Sequence, residues 1–193
     1  MIPVYIPPLI APEPGVMERL LTEIPWESRA ETRRECFMTP GVVPYTYTYG
    51  QGRGVRDYTS IPMSDFVAEI LNAVNFALSS DARTPGWGPM TGCFLNCYED
   101  DHDHLGWHAD DFRGMDHTRA VVSVSYGEAR EIWWRKFGES GEVPVENRRL
   151  LASGSIFVMP PGMQFTHQHR IPKGSRKMGP RVSLTFRAFL EGA

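Results

Sequence analysis

The sequence predicts an α+β fold that is mainly β, in which N-terminal helices support a C-terminal β-sandwich or barrel. The chain has 18 glycines and 16 prolines in 193 residues. This is above their usual share of about 12%, and such an excess is typical of a fold with many tight turns. From Thr91 onward, seven short β-type runs follow one another with little helical pattern between them. That texture favours a sandwich or barrel.

Two helices are predicted in the first ninety residues. One is indicated by four apolar residues at the spacing of a single helix face, namely Met17, Leu20, Leu21 and Ile24. A longer apolar stripe covers residues 66–78, and Ser64 or Asp65 is placed to cap its first turn. Between the helices, the Tyr- and Gly-rich residues 44–58 predict a strand that leads into a flexible loop.

The C-terminal half contains the seven predicted strands, each short and bounded by Gly, Asp or Pro. In chain order they are TGCFLNCY (91–98), LGWHAD (105–110), RAVVSVSYG (119–127), REIWWRK (130–136), SIFVMPP (155–161), QFTHQHRI (164–171) and RVSLTFRAFL (181–190). We therefore expect a single domain over residues 1–193. Residues 1–90 would supply the helices and the Tyr- and Gly-rich loop, and residues 91–190 the β core.

Charge, cysteine content and hydropathy exclude several classes of protein. A formal net charge of −3 argues against a tail-driven nucleic-acid binder, because such proteins depend on strong positive fields. Three cysteines are too few for a disulfide scaffold and indicate reduced thiols. No apolar run approaches the roughly 20 residues of a membrane span, and the proline-rich N-terminus does not resemble a signal peptide. We expect an intracellular monomer without membrane contact, cytoplasmic or, in a eukaryote, nuclear.

The six histidines are clustered, and five of them lie in two short segments. On a strand, residues i and i+2 point to the same face, so His108 and Asp110 are placed to offer a nitrogen and an oxygen to one ion. A histidine of the second segment, His167 or His169, completes a set of two histidines and one carboxylate, which suits non-haem Fe(II). His-x-Asp alone is a weak signal, and the alternative is a solvated acidic loop.

The run RVSLTFR alternates between an apolar and a polar face. Val182, Leu184 and Phe186 form the apolar face, which predicts contact with a core. The polar face carries Arg181 and Arg187, whose Cα atoms would lie roughly 20 Å apart along a strand. Arginine binds carboxylates through bidentate hydrogen bonds, so the pair predicts a pocket for a short dicarboxylate. The alternative is an exposed edge strand with solvated arginines.

Asn96 and Tyr98 share one face of the run TGCFLNCY with Phe94. Their neutral amide and hydroxyl groups can orient a carboxylate without competing for a metal. The alternative for Tyr98 is a core position with its hydroxyl satisfied locally.

In this order, the segments resemble the AlkB family of Fe(II)- and 2-oxoglutarate-dependent dioxygenases, in particular its nucleic-acid-repair members. The resemblance covers roughly residues 91–190 and rests on Asn96-Cys-Tyr98, His108-Ala-Asp110, His169 and Arg181-Val-Ser-Leu-Thr-Phe-Arg187. It implies a double-stranded β-helix, or jelly roll. It also implies oxidative demethylation of N-alkylated bases, such as 1-methyladenine and 3-methylcytosine, in DNA or RNA. Molecular oxygen would be the co-substrate, and formaldehyde and succinate would be released.

The resemblance also implies roles for these residues. The implied catalytic iron ligands are His108, Asp110 and His169. The residues implied for 2-oxoglutarate are Asn96, Tyr98, Arg181 and, near its metal-binding end, Arg187. His169 is preferred to His167 because its distance from Arg181 along the chain matches the family's spacing.

Three features depart from the family's pattern. Ser183 stands where asparagine is common. Phe112 stands where repair members often carry an acidic residue that reads the base amino group, and Asp111 lies one position earlier. The aromatic region before the core is longer than in close relatives. Tyr47 is the candidate for stacking on the base, and the alternatives are a core role for it or stacking by Tyr49 or Tyr58.

The expected substrate is single-stranded or flipped-out nucleic acid, because a methyl group on a base edge is out of reach in a stacked duplex. Arg53, Arg56 and the basic residues 170–177 are candidates for phosphate contacts. Two other functions remain open. One is the same chemistry on a protein or small molecule, which Phe112 favours. The other is a non-enzymatic jelly-roll metal-binding module, against which the arginine pair argues.

Overall fold

The structure, a computed structural model, describes residues 2–8, 15–30, 32–49, 55–112 and 114–190. Over these residues the chain forms fourteen strands and two α-helices, α1 (Val16–Thr22) and α2 (Asp65–Ser80). Ser64 caps α2, because its side chain accepts a hydrogen bond from the backbone N–H of Val67. Both predicted helices and the mainly β fold are therefore confirmed.

The larger sheet combines strands from both halves of the chain. Its strands are β1 (Val4–Ile6), β2 (Glu27–Ala30), β3 (Arg33–Thr39), β6 (Ile61–Pro62), β7 (Gly92–Tyr98), β9 (Val121–Gly127), β12 (Ile156–Met159) and β14 (Arg181–Arg187). Their order is β1–β12–β9–β14–β7–β3–β2, with β6 beside β3. β14 lies between β9 and β7, so the alternative of an exposed edge strand with solvated arginines is wrong.

The smaller sheet faces the larger one across the active-site region. It consists of β8 (Leu105–His108), β10 (Arg130–Lys136), β11 (Arg148–Leu151) and β13 (His167–Ile171), in the order β11–β10–β13–β8. A separate hairpin is formed by β4 (Thr46–Tyr49) and β5 (Arg56–Thr59). Six of the seven predicted strands are one to three residues shorter than expected, and two of these differences affect the site. Residues 163–165 form a 3-10 turn before β13, and β8 ends at His108.

The two faces of β14 lie in different environments, one in the hydrophobic core and the other against a polar cavity. Val182, Leu184 and Phe186 are fully buried in a core that also contains the apolar stripes of α1 and α2. Arg181 and Arg187 point to the opposite face, toward the smaller sheet. The helices therefore cover the outside of the larger sheet, and its inside is left for a polar site. No helix among the described residues is both long and apolar enough to cross a bilayer.

Candidate active site

Two histidines and one aspartate meet between the sheets. His108 ends β8 and is the cross-strand partner of His169 on β13. Their ring centroids lie 4.2 Å apart. Asp110 Oδ2 lies 3.9 Å from His169 Nε2. One ligand atom from each of the three residues lies within 4.8 Å of the others, so the three side chains can converge on one metal ion.

Asp110 lies beyond the end of β8. The prediction that strand alternation brings His108 and Asp110 to one face is therefore wrong. Hydrogen bonds hold Asp110 instead. Its backbone N–H donates to Gln164 Oε1 over 2.9 Å, and Arg187 Nη2 donates to its Oδ1 over 2.5 Å. The other oxygen, Oδ2, is buried without a hydrogen-bond partner. An unpartnered buried carboxylate oxygen beside two imidazoles fits a divalent metal ion such as Fe(II).

The protonation of the three side chains suits metal binding at neutral pH. His108 Nδ1 donates to the carbonyl oxygen of Gly106 over 2.9 Å, which leaves the lone pair of Nε2 free. Burial lowers the pKa of His108, and it lowers the pKa of His169 to about 3. Burial acts to raise the pKa of Asp110, but the charges of Arg187 and the two histidines outweigh it and lower that pKa to about 2.

We expect the metal-free protein to lose stability on acidification through His169. Its pKa is about 3 in the folded chain against an ordinary value of 6.5. Between these values the unfolded chain binds a proton that the folded chain does not. The free energy of unfolding therefore falls as the pH falls, by about 1.4 kcal/mol per pH unit for this group. Urea unfolding between pH 7.5 and 4.5, at intervals of about half a unit, measures this slope.

Two variants isolate the contribution of His169 to that slope. In His169→Gln the pH dependence should be weaker by about 1.4 kcal/mol per unit, because the titrating group is gone. His102→Gln should leave the slope unchanged, since this side chain is 82% exposed. Equal slopes in His169→Gln and the natural chain would contradict a buried, neutral His169.

A polar cavity lies beside the three candidate ligands, against the inward face of β14. Arg181 is 1% exposed at its wall. Its Nη2 donates to Ser125 Oγ over 2.8 Å, whereas Nε and Nη1 have no hydrogen-bond partner. Burial lowers its pKa to about 10, so the guanidinium remains charged at neutral pH. A buried cation with two free donors is suited to a carboxylate ligand.

Asn96 and Tyr98 line the same cavity from β7. Asn96 Oδ1 accepts a hydrogen bond from Arg33 Nε over 2.8 Å, which directs the donor side of the amide away from Arg33. The Tyr98 ring packs against Arg181, whose Cζ lies 5.2 Å from the ring centroid. The structure thus gathers the residues that the sequence suggested for 2-oxoglutarate around one cavity.

A second pocket shares His108 and Asp110 with this cavity and has aromatic walls. We call it the aromatic pocket, after the side chains of Tyr47, Tyr49, Tyr58, Phe94 and Phe112. Tyr47 stacks on Phe112 with ring centroids 4.1 Å apart and on Tyr58 with centroids 5.3 Å apart. The ring favoured for stacking on a base is therefore already stacked between two others. Tyr49 donates from its hydroxyl to the carbonyl oxygen of Ala109, next to the candidate metal ligands.

Of the remaining candidates for substrate contact, those among the described residues are not part of the lining of this pocket. Arg53 falls outside the described residues. Arg56 begins β5, with its Nη1 3.9 Å from Glu35 Oε2. Asp111 is exposed and does not line the aromatic pocket. His167 is buried on β13, but its Nδ1 pairs with Thr166 Oγ1 at 2.7 Å and it is not grouped with the candidate ligands.

Sequence analysis missed three side chains that position the site. Gln164 holds the backbone of Asp110, Arg33 orients Asn96, and Ser125 contacts Arg181. Their partners lie 54, 63 and 56 positions away along the chain. No local spacing signals such contacts. One signal could have been used. If β3 had been predicted, its alternation would have placed Arg33 and Glu35 on one face.

Comparisons with known proteins agree with this geometry. The sequence model of the 2OG-Fe(II) oxygenase superfamily matches residues 15–187. The alpha-ketoglutarate-dependent dioxygenase alkB homolog 3 of Mus musculus is 28% identical over 184 residues, which cover 89% of this chain and 60% of that protein. The chain thus spans about 60% of the length of this relative.

Other relatives match shorter segments or the fold alone. The DNA oxidative demethylase ALKBH2 of Mus musculus is 39% identical over 100 residues, 50% of this chain and 42% of that protein. The Arabidopsis thaliana protein of the same name is 31% identical over 153 residues, 68% of this chain and 46% of that protein. The solved structure of OsALKBH1 superposes with a TM-score of 0.64 at 17% identity, covering 96% of this chain and 97% of that one. This likeness confirms the jelly-roll fold.

Proposed function

This chain belongs to the 2OG-Fe(II) oxygenase superfamily and, within it, to the AlkB family, and from that premise we propose that it oxidatively demethylates N-alkylated bases in DNA or RNA. The expected targets are bases such as 1-methyladenine and 3-methylcytosine in a single strand or flipped out of a duplex. The methyl group would leave as formaldehyde, and 2-oxoglutarate would be converted to succinate. The relatives named DNA oxidative demethylase support this substrate class.

One observation carries the proposal: the aromatic pocket opens directly onto the candidate metal ligands. His108 and Asp110 line it together with Tyr47 and Phe112. Because Tyr47 is already stacked between Phe112 and Tyr58, a base would lie against the other aromatic walls of the pocket. Stacking on such a wall is worth roughly 1–3 kcal/mol per base. A base held there presents its edge to the metal ligands, which is what removal of an N-methyl group requires.

The chain's own residues divide the remaining tasks. Arg181 would bind the distal carboxylate of 2-oxoglutarate through its two free nitrogens, and Asn96 and Tyr98 would orient the cosubstrate. Arg187 holds Asp110 in place through Oδ1 and keeps Oδ2 available to a metal. The burial of these groups limits the access of water to the reacting atoms.

Fe(II) and 2-oxoglutarate are the cofactors of this superfamily, and the residues present fit both. The iron would be held by His108, Asp110 and His169. When bound, it supplies the activation of oxygen that the oxidation requires. The protein would contribute an open set of three ligands and a buried polar cavity, and it would fix the positions of cosubstrate and base.

A second candidate is the same chemistry on a protein or small molecule. Phe112 favours it, because this side chain adds an apolar wall to the aromatic pocket at the position where repair members often carry an acid. A non-enzymatic metal-binding module is less well supported. Such a module has no need of the buried, unpartnered donors of Arg181.

An assay across nucleic-acid substrates tests the proposed function. The protein is incubated with Fe(II), 2-oxoglutarate and oxygen, with methylated or unmethylated DNA and RNA, single- and double-stranded. We expect methylated single strands to stimulate succinate formation and to release an equal amount of formaldehyde. Turnover that no methylated nucleic acid stimulates would favour the second candidate. Complete inactivity of the iron-loaded protein would favour the metal-binding module.

A further inference from the structure

The outer face of the smaller sheet carries an alternating row of arginine and tryptophan side chains. Arg148 lies 4.6 Å from the ring centroid of Trp133, and Arg170 lies 4.3 Å from the same ring. Arg170 also lies 5.1 Å from the Trp107 ring, and Arg135 lies 4.0 Å from it. The row therefore crosses all four strands. We call it the Arg–Trp row, and its members are Arg148, Trp133, Arg170, Trp107 and Arg135.

Strand alternation places this row on the side of the sheet away from the metal ligands. Ile132, Trp134 and Ile171 are buried in the core between the sheets, and His169 faces the cavity. Their neighbours along β10 and β13 must point outward. The members of the row are half-buried, because they cover one another. The row is thus a surface feature that the proposed reaction does not use.

Two of the three arginines of the row, Arg135 and Arg170, carry positive charge that no described carboxylate neutralises. Among the described residues, Arg135 and Arg170 form no ion pair, and the Nε of each is buried without a hydrogen-bond partner. Burial lowers the pKa of Arg170, and the charges of Arg135 and Arg148 lower it further. Like charges held this close are costly without an anion. Arg148 alone reaches a carboxylate, that of the exposed Glu142.

Stacking prepares these guanidinium groups for phosphate. An indole ring against the face of a guanidinium leaves its N–H groups, which lie in the plane, free for hydrogen bonds. The side chain is also held in one orientation before a ligand arrives, so less conformational entropy is lost on binding. A row of such groups matches a ligand that repeats its negative charge, as a polynucleotide backbone does.

A groove of about 790 Å³ runs beside the row, and its lining contains four arginine or lysine side chains against one carboxylate, that of Glu131. Trp133 and Arg170 form part of its wall, together with Lys173. Arg130, also in the wall, is 2% exposed and has both terminal nitrogens unpartnered. Leu105 lines both this groove and the aromatic pocket, so the two meet at the edge strand β8.

We propose that the Arg–Trp row and this groove bind the backbone of the single strand that flanks the base in the aromatic pocket. The proposal rests on the proposed nucleic-acid substrate. Because Leu105 lines both the groove and the aromatic pocket, a single strand can leave the aromatic pocket, pass around β8 and enter the groove. The cluster of cations, three of them with unpartnered buried donors, favours a polyanion over a neutral peptide.

Binding of an unmethylated single strand of about 20 nucleotides tests this proposal. Fluorescence anisotropy of a labelled strand is measured with the full chain over a series of salt concentrations. In Arg135→Gln/Arg170→Gln, which removes the two arginines of the row without an ion pair, we expect affinity to fall roughly tenfold. The slope of log affinity against log salt should become shallower by about 1.4, because two phosphate contacts are lost at about 0.7 each. The matched control is Arg83→Gln, which removes an exposed arginine bonded to Asp81 after α2 and should change neither quantity.

Demethylation of a methylated trinucleotide measures the reaction independently of binding to the row. A trinucleotide has only two internucleotide phosphates, so its binding depends little on the row. The double variant should therefore demethylate it at close to the natural rate, while the KM of the variant for the long strand rises. A double variant with natural melting temperature and natural affinity for the long strand would overturn the row as a binding surface. So would a natural chain that demethylates the trinucleotide but binds no long strand. Failure of the natural chain on every methylated substrate would instead overturn the proposed function.

A charge-preserving variant covers the case in which the double variant does not fold. Arg135→Lys keeps the positive charge but loses the planar fork that stacks on Trp107. We expect the salt slope to stay unchanged and the affinity for the long strand to fall about threefold. Unchanged affinity in this variant would likewise contradict the proposed role of the row.

Discussion

Replacing His169 with alanine should abolish turnover, with succinate formation reduced roughly a thousandfold or more, equivalent to about 4 kcal/mol of transition-state stabilisation. The expected loss is large because His169 is one of three candidate ligands, and His108 and Asp110 alone provide too few to hold the ion in a defined open site. Mass-spectrometric measurement of succinate at a fixed Fe(II) concentration checks the rate. Calorimetric titration with Mn(II), as a stand-in for Fe(II), checks the loss of metal affinity separately.

The matched control is His167→Ala, two positions earlier on the same strand. Its imidazole pairs with Thr166 and lies outside the candidate ligand group, so we expect turnover to stay within about twofold of the natural chain. His108→Ala should behave as His169→Ala does. If His167→Ala were inactive and His169→Ala active, the ligand would have to be reassigned to His167. Retained activity in His108→Ala would end the assignment of the whole triad.

The candidate metal site shows what local sequence patterns can predict and what they cannot. The histidine pattern of residues 105–110 and 164–171 indicated side chains that offer metal-binding atoms, because ligand type is a property of the residue itself, but it left His167 and His169 as alternatives. In the structure His108, Asp110 and His169 lie together. The pattern did not indicate why Asp110 lies where it does. That position depends on Gln164 and Arg187, which approach from a 3-10 turn and from the far sheet. Contacts between residues so distant in sequence follow from the fold and not from periodicity.

The fold likewise has elements that local patterns predict and elements that they do not. The alternation of RVSLTFR correctly separated a core face from a polar face, since period-2 patterning directly reflects burial on a strand. The first three strands, β1 to β3, were not predicted. β1 and β2 have three and four residues, too few for an alternating pattern to stand out, and β3 begins with the polar sequence Arg33-Arg-Glu35. β3 is nonetheless the strand that brings Arg33 to Asn96.

The tyrosine-rich segment shows a limit of a different kind. Its alternating aromatics correctly predicted a strand, which is β4. They did not predict that Tyr47 would be stacked between Phe112 and Tyr58. Aromatic side chains cluster because stacking adds to the gain from burial. Which ring is left free for a ligand therefore depends on side chains from other elements, and Phe112 comes from the loop after β8.

Replacing Arg181 with methionine should raise the KM for 2-oxoglutarate roughly a hundredfold or more while leaving the metal-free protein at least as stable. Both effects follow from one observation. Arg181 is 1% exposed, and its Nε and Nη1 have no partner within the protein. Without cosubstrate, these donors are buried and unsatisfied, and burial already lowers the pKa of the group to about 10. An apolar side chain of similar length removes that cost.

The gain from the guanidinium appears only when a carboxylate binds to it, because a charge-assisted bidentate pair in a buried site is far stronger than one in water. Thermal unfolding with and without 2-oxoglutarate separates the two effects. In the natural chain, cosubstrate at 100 times its Kd should stabilise the fold by about 2.7 kcal/mol. In Arg181→Met this increment should vanish while the melting temperature without cosubstrate stays equal or rises. If 2-oxoglutarate still stabilised the variant fully, the carboxylate would have to bind elsewhere. If Arg181→Met were less stable than the natural chain without cosubstrate, Arg181 would have to stabilise the fold itself. Its donors would then not be waiting unsatisfied for a carboxylate.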